Sequence, residues 1–403
     1  MQRGAVQQYA VITGTYWAFT LTDGALRMLV VLHFHQLGYG ALDIALLFLF
    51  YELFGIITNL LGGWLGARIG LNRTMGLGLG LQILALCMLA VPAVALTVPW
   101  VMAAQALSGV AKDLNKMSAK SSIKMLIPAD AEGRLFRWVA ALTGSKNALK
   151  GVGFFMGGAL LGLLGFTYSV LAMAAALLLA GIISMALLRS DLGKSRFKPK
   201  FKDLFSKSRA INVLSAARMA LFGARDVWFV VALPVYLATS LGWSNTAVGG
   251  FLALWVIGYG AVQSFAPWIT RNRRARAPDG GTAMAWALLL AASPAAIAVA
   301  LSQGLPAGQV LILGLGVFGV LFAVNSAMHS YLIIRYASED GVSLDVGFYY
   351  MTNAMGRLLG TLLSGAVFQA YGLVACLWVS AALVFLAAVL SLGLPRHRED
   401  SAA

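Results

Sequence analysis

NALKGVGFFMGGALLGLLG, residues 147–165, returns 207 positions later as AMGRLLGTLLSGAVFQAYG, residues 354–372. Lys150, Gly153, Gly158, Ala159 and Gly165 of the first stretch are matched by Arg357, Gly360, Gly365, Ala366 and Gly372 of the second. Asn147 and Ala148 match Asn353 and Ala354 one residue out of step. Each stretch is an apolar run of about 20 residues, long enough to cross a hydrocarbon layer about 30 Å thick as a helix. The small residues spaced along it suit close packing of helices in lipid. A chain that repeats one membrane helix, polar positions included, predicts an internal duplication of a helical bundle.

The composition agrees. Of 403 residues, 60% are hydrophobic and only 11% charged, against a charged share of about 25% in soluble domains. The chain reads as a polytopic membrane protein. Its formal net charge of +15 does not argue for nucleic acid, because basic residues in such a chain are sorted first by side of the membrane. The N-terminal MQRGAVQQYAVITG lacks the pattern of a removable leader, so the first helix is expected to stay.

Working outward from the repeat, twelve apolar segments follow one another: roughly 9–36, 41–66, 74–95, 98–122, 136–164, 167–188, 211–239, 245–270, 282–302, 308–334, 347–371 and 374–394. The expected fold is all-α, with twelve transmembrane helices in two pseudo-symmetric six-helix bundles. The first and second segments echo the seventh and eighth more faintly, Leu37, Gly38 and Tyr39 against Leu241, Gly242 and Trp243, then Trp64 against Trp268. The predicted division is an N-terminal bundle, 1–188, a basic cytoplasmic linker, 189–210, and a C-terminal bundle with a short tail, 211–403. The linker RSDLGKSRFKPKFKDLFSKSR has eight Lys or Arg against two Asp and reads as an orientation anchor.

Connections on one side contain Arg68 and Arg73, then Lys124, Arg134 and Arg137, then Arg271, Arg273, Arg274 and Arg276, then Arg335. Those on the other side contain no Lys or Arg. The excess of positive charge on cytoplasmic loops puts both termini in the cytoplasm.

Charge inside the segments is uneven. The third, sixth, ninth and twelfth have none and read as outer, lipid-facing supports. The others have Arg27, Lys112, Lys116, Lys146, Lys150, Arg218, Arg225 and Arg357, against Asp23, Glu52, Asp113 and Asp226. A charge at the bilayer centre costs about 2.5 kcal/mol or more unless it faces water or a partner. Eight cations against four anions predict a wet central cavity with surplus positive charge, whose compensating partner is a multiply charged small organic anion.

AKDLNKMSAKSSIK, residues 111–124, sets four lysines at a spacing of four on one helix. Lys112 and Lys116 are substrate candidates, with a fixed ion pair to Asp113 or another carboxylate as the rival reading, while Lys120 and Lys124 are expected to snorkel towards the interface. Lys146, Asn147 and Lys150 on the fifth segment, mirrored by Asn353 and Arg357 on the eleventh, can clamp one ligand together with Arg27 and Arg225. Guanidinium forks suit phosphate-like oxyanions. Arg218 is placed as a gate or entrance residue. Asp23 and Arg27 have the spacing of an intrahelical pair, and Asp226, turned about 100° from Arg225 along a helix, is expected to pair elsewhere.

Asp23, Glu52, Asp113 and Asp226 are the candidates for ion pairs or for proton coupling. His33, His35 and His329 read as wall residues. Cys87 and Cys376 stand far apart, so no disulfide, metal site or cofactor is expected. With no HExxH, GxSxG or Asp-rich metal motif, a transporter is expected rather than an enzyme. No nucleic acid partner is expected, and the chain reads as a monomer.

Two resemblances sharpen this. Twelve segments in two halves resemble the major facilitator superfamily, whose loop after the second helix typically reads G-x-L-A-D-R-x-G-R-K. Here Gly63, Leu65, Arg68 and Gly70 fit within GWLGARIGLNR, with Ala67 at the acidic position and Leu71 and Asn72 at the basic pair. GFFMGG is similar to the antiporter-associated G-P-x-x-G-G, with Phe154 at the proline. TLTDGALRMLVVLHFH, AKDLNKMSAKSSIK, LTGSKNALKGVGFF, FSKSRAIN and FGARDVWFV resemble the organoarsenical efflux permeases (ArsJ type) of bacterial arsenic-resistance operons. That resemblance implies alternating-access export of 1-arseno-3-phosphoglycerate, made when glyceraldehyde-3-phosphate dehydrogenase accepts arsenate, and hence arsenate resistance. From the residues alone, a sugar phosphate/phosphate exchanger stays open as the alternative.

Overall fold

Two glycines decide where the longest helices turn. In the computed structural model, which describes residues 2–38, 47, 49–128, 131–188, 192, 208–243, 245–270, 277–339 and 341–396, helix α5 (Glu132–Leu187) is broken at Gly165, φ 72°, and helix α11 (Val342–Ser391) at Gly372, φ 77°. Only glycine adopts this backbone without strain. The two breaks are the last matched pair of the sequence repeat, and each separates two membrane crossings.

The other helices are α1 (Gln2–Gln36), α2 (Leu49–Ile69), α3 (Leu71–Leu89), α4 (Val98–Leu126), α6 (Arg209–Phe229), α7 (Ala232–Thr239), α8 (Asn245–Ile269), α9 (Gly280–Ser302) and α10 (Ala307–Tyr336). No strand occurs among the described residues. α6 and α7 form one crossing with a break at Val231, where the helical ladder is interrupted. The buried hydroxyl of Ser364 accepts from the amides of Val231 and Ala232, at 3.3 and 3.1 Å, so the loosened N–H groups stay satisfied. With α6–α7 counted once and α5 and α11 divided at their glycines, the described residues give the twelve expected crossings. The third is shorter than predicted: α3 ends at Leu89, and Ala93–Ala95 form a separate 3₁₀ turn after Pro92, which lacks the N–H a continuing helix needs.

Among the described residues, seven helical stretches are long and apolar enough to cross a membrane. α1, α2 and α4 are not among them. Leu163, Met185, Trp268 and Leu313 are largely exposed. In water such surface would drive association, whereas hydrocarbon solvates it.

The chain divides into two compact units. The first comprises Met1–Ala131, Ser145–Ser206 and Ala337–Met351. Its core joins Leu26, Leu29 and Phe34 of α1 to Leu79 and Leu86 of α3 and Val170 and Met173 of α5. Inside this unit α2 crosses the head of α11 at bare backbone, because a side chain on Gly347 would stand 2.6 Å from the Asn59 carbonyl. Leu60, Ala67 and Leu344 close that crossing. Between α2 and α3 the turn needs Gly70 at φ 96°.

The second unit comprises Glu132–Gly144, Lys207–Tyr336 and Thr352–Ala403. Trp228, Phe318 and Phe322 form its aromatic centre, with Trp228 edge-on to Phe318 at 5.1 Å. The head of α5 packs here, with Gly144 against Gly260 and Ser264 of α8 and the Arg335 Nε 2.8 Å from Glu132 Oε1. Most of the basic linker, Arg271, Arg273, Arg274 and Arg276, and the side chains of Glu52 and His35 lie outside the described residues.

Candidate functional site

In the first unit the geometry begins with absent side chains. A Cβ on Gly109 would meet the Tyr51 carbonyl at 2.6 Å, so α2 and α4 touch backbone to backbone there. One turn further along α4, Lys112 sets its Nζ over the Tyr51 ring, 3.8 Å from the centroid. Arg27 lies over the same ring at 4.7 Å. The Tyr51 hydroxyl donates to Asp23 Oδ1 at 2.5 Å. α1 and α5 meet in the same way: a Cβ on Gly24 would stand 2.7 Å from the Lys150 carbonyl and one on Gly153 2.7 Å from that of Leu21. This brings Lys150 Nζ to 4.0 Å from Asp23 Oδ2.

The lysine series on α4 runs down one face. Lys116 Nζ is 2.5 Å from Asp113 Oδ1. Asp113 Oδ2 is buried beside Gly55 with no hydrogen-bond partner among the described residues. Lys116 and Lys120 both lie over the ring of Tyr350, at 4.8 and 4.7 Å, and Lys120 donates to the Tyr350 hydroxyl. Lys120 is therefore a correction to the snorkelling expectation: it is only 4% exposed. The aromatic hydroxyl and ring take the place of interfacial water. Lys124 donates to the Ala337 carbonyl near the helix end. Lys146 donates to Asn147 Oδ1 at 3.2 Å, and its charge is felt by Lys112, Lys116 and Lys120.

Arg27, Lys112, Lys116, Lys120, Lys146 and Lys150 thus share one neighbourhood with two carboxylates, Asp23 and Asp113, among the described side chains. Desolvated like charges at this density are costly unless rings, dipoles or an anion offset them.

The second unit is organised around one carboxylate. Asp226, whose side chain is 1% exposed, receives Arg225 Nε at 2.6 Å on Oδ1 and Arg357 Nε at 3.2 Å on Oδ2. Asp226 does pair elsewhere, with Arg357, as expected, but the expectation that it turns away from Arg225 is corrected. Neighbours on a helix diverge at Cβ, but the long arginine stem curls back to the short carboxylate. Arg225 also lies 5.0 Å from the Phe222 ring and 5.6 Å from that of Phe322.

Arg218, read from its position as a gate or entrance residue, is 3% exposed. Its Nε donates to Asn353 Oδ1 at 2.8 Å and its Nη1 to the Ser326 carbonyl and hydroxyl at 3.2 Å. Tyr259 and Gln263 also donate to the Ser326 hydroxyl, at 2.9 and 3.1 Å. α6 and α11 pack along Gly223, Gly356 and Gly360, the counterpart of the Gly24–Gly153 seam. The repeat is therefore carried through to the ion pairs: Lys150 meets Asp23 in one unit and Arg357 meets Asp226 in the other.

His33 stacks on Phe166 at 4.1 Å, and His329 is fully buried. No group of three or more His, Cys, Asp or Glu that could hold a metal ion occurs among the described residues. Tyr51, Lys120 and Tyr350 are the site residues that sequence reasoning missed. The alternation of small and aromatic residues in these helices does not distinguish a ring that faces a cation from one that faces lipid.

Apolar crossings, buried cations and duplicated ion pairs mark a polytopic membrane protein. The family model described as Major Facilitator Superfamily matches residues 12–302, and the chain belongs to that family. It is a multi-pass membrane protein. No curated protein matches the sequence. Among solved structures, the E. coli fucose:proton symporter superposes with a TM-score of 0.73 at 12% identity, over 96% of this chain and 98% of that one. The human organic anion transporter MFSD10 (TETRAN) gives 0.71 at 16%, over 96% and 99%. A bacterial homologue of the iron transporter ferroportin, outward-facing, gives 0.71 at 15%, over 94% and 98%. At such identities the likeness concerns the fold.

Proposed function

We propose that the protein is a secondary active transporter that exports an anionic organoarsenical, 1-arseno-3-phosphoglycerate, from the bacterial cytoplasm by alternating access of its two six-segment repeats, 1–188 and 211–403, joined by the linker 189–210. The observation that carries the reading is the cluster of the first unit, in which six cations are accompanied by two carboxylates among the described side chains. Such a cluster attracts a ligand with several oxyanion groups, and an arsenate ester that also bears phosphate has them. The resemblance of AKDLNKMSAKSSIK and LTGSKNALKGVGFF to the organoarsenical permeases supplies the particular substrate. Two of the similar structures are described as a proton symporter and an organic anion transporter, which is compatible with small-anion transport and with proton coupling.

In this reading Arg27, Lys112, Lys116, Lys146, Asn147 and Lys150 of the first unit and Arg225, Asn353 and Arg357 of the second bind substrate. Asp23, Glu52, Asp113 and Asp226 hold ion pairs or take up the coupling proton. Both termini face the cytoplasm of an inner membrane protein. Cells that express the protein with glyceraldehyde-3-phosphate dehydrogenase should resist arsenate and release an organoarsenical into the medium, and Lys112→Ala should weaken both effects. Resistance and release unchanged by the protein would remove the substrate assignment.

A further inference from the structure

Each cation of the lysine series that could meet an oxyanion is already resting on a tyrosine. Tyr51 is 2% exposed, and its backbone is held against α4 by the Gly109 crossing. Lys112 and Arg27 both lie over it. The phenol donates to Asp23 at 2.5 Å, and a phenol that donates to a carboxylate is richer in electrons over the ring. The negative face offered to the two cations is strengthened accordingly. Tyr350 repeats the arrangement lower on α4, with Lys116 and Lys120 over its ring.

We propose that Tyr51 is a specificity-determining residue whose ring stands in for the substrate: it holds Lys112 and Arg27 while the site is empty and yields them to the oxyanion of a small phosphate or arsenate ester. The inference rests on the anion-binding reading above and deepens it. A ring face offers a weak, diffuse negative charge, so a neutral solute or a lone carboxylate gains little by displacing it. A dianion that accepts several charge-assisted hydrogen bonds gains more. Such an exchange also explains how a cluster rich in cations stays folded between transport cycles.

The exchange has a definite sign. If the cations leave the ring on binding, weakening the ring face must tighten the anion, whereas a ring that merely shapes the pocket would give no gain. The experiment compares purified Tyr51→Phe protein in nanodiscs with the same protein bearing a trifluorinated phenylalanine at position 51, which keeps the shape and removes most of the attraction for cations. Both are titrated calorimetrically with 3-phosphoglycerate and with inorganic phosphate. The fluorinated protein should bind 3-phosphoglycerate about fivefold more tightly, with equal monodispersity and thermal stability serving as the folding control. Equal or weaker binding by the fluorinated protein, while wild type binds, overturns this inference alone. Absence of binding by wild type overturns the anion-binding reading and this inference with it.

Discussion

Lys150 and Arg357 occupy matched positions of the two repeats, and each approaches a carboxylate on a neighbouring helix, but the two meetings differ. Arg357 reaches Asp226 at 3.2 Å, and Asp226 also accepts from Arg225. Lys150 stands at 4.0 Å from Asp23, whose other oxygen takes a tyrosine hydroxyl. In the second unit a single buried carboxylate knits two arginines, and Asn353 and Ser326 hold a third. Among the described side chains of the first-unit cluster, the cations outnumber the carboxylates and several lean on aromatic faces. The same duplicated scaffold has produced a closed electrostatic knot in one half and an open one in the other. In the proposed function, the oxyanion of the substrate binds at the open one.

The largest effect should come from cutting the closed knot. Asp226→Asn leaves Arg225 and Arg357 without their shared carboxylate, and removing one partner of a buried pair costs about 3 to 5 kcal/mol. A collapse in thermal stability and yield is expected. Unchanged stability would mean that the second unit is not organised around Asp226.

Next come the glycine seams. Gly153→Ala and Gly360→Ala each drive a methyl group into a facing carbonyl, 2.7 Å from Leu21 and 2.6 Å from Gly223 respectively. Overpacking of this kind costs about 1 to 3 kcal/mol. The two variants should lose similar amounts in thermal unfolding. A cost confined to one of them would break the symmetry drawn between the seams.

Smaller again is the difference between the two asparagines. Asn353→Ala strands the buried Arg218 Nε and should cost about 1.5 to 3 kcal/mol, whereas Asn147→Ala removes a longer bond from Lys146 and should cost about 0.5 kcal/mol. Equal losses would contradict the contrast between a closed and an open cluster.

The smallest effect on stability belongs to Lys112→Ala. Taking one charge from a crowded set of cations should leave thermal unfolding within about 0.5 kcal/mol of wild type while apparent affinity for 3-phosphoglycerate falls about tenfold. Marked destabilisation would make Lys112 a structural residue.

Much of the fold was legible because lipid imposes a simple code. Apolar length marked the crossings, and Gly165 and Gly372, paired by the repeat, fell where positive φ divides α5 and α11. Lys150, Arg357, Asp23 and Asp226 could be named as charges that needed partners, since a charge within a crossing must find one. Which partner each would find was not legible. Lys120 meets Tyr350 from 230 residues away in sequence, and Arg225 reaches Asp226 through a side-chain curl that helical projection ignores. The assignment of 132–144 to the unit of α8, and of 337–351 to the unit of α2, depends on glycine crossings between distant segments. Helical periodicity contains no record of that pairing.

The central claim is that surplus positive charge in the first unit binds a multiply charged organic anion. Calorimetric titration of the purified protein in nanodiscs with 3-phosphoglycerate, at low and at raised salt and beside neutral glycerol, tests it most directly. The account predicts saturable binding that weakens with salt, is absent for glycerol and is lost in the Lys112→Ala, Lys116→Ala double variant. No binding of 3-phosphoglycerate, or binding that the double variant retains in full, would contradict it.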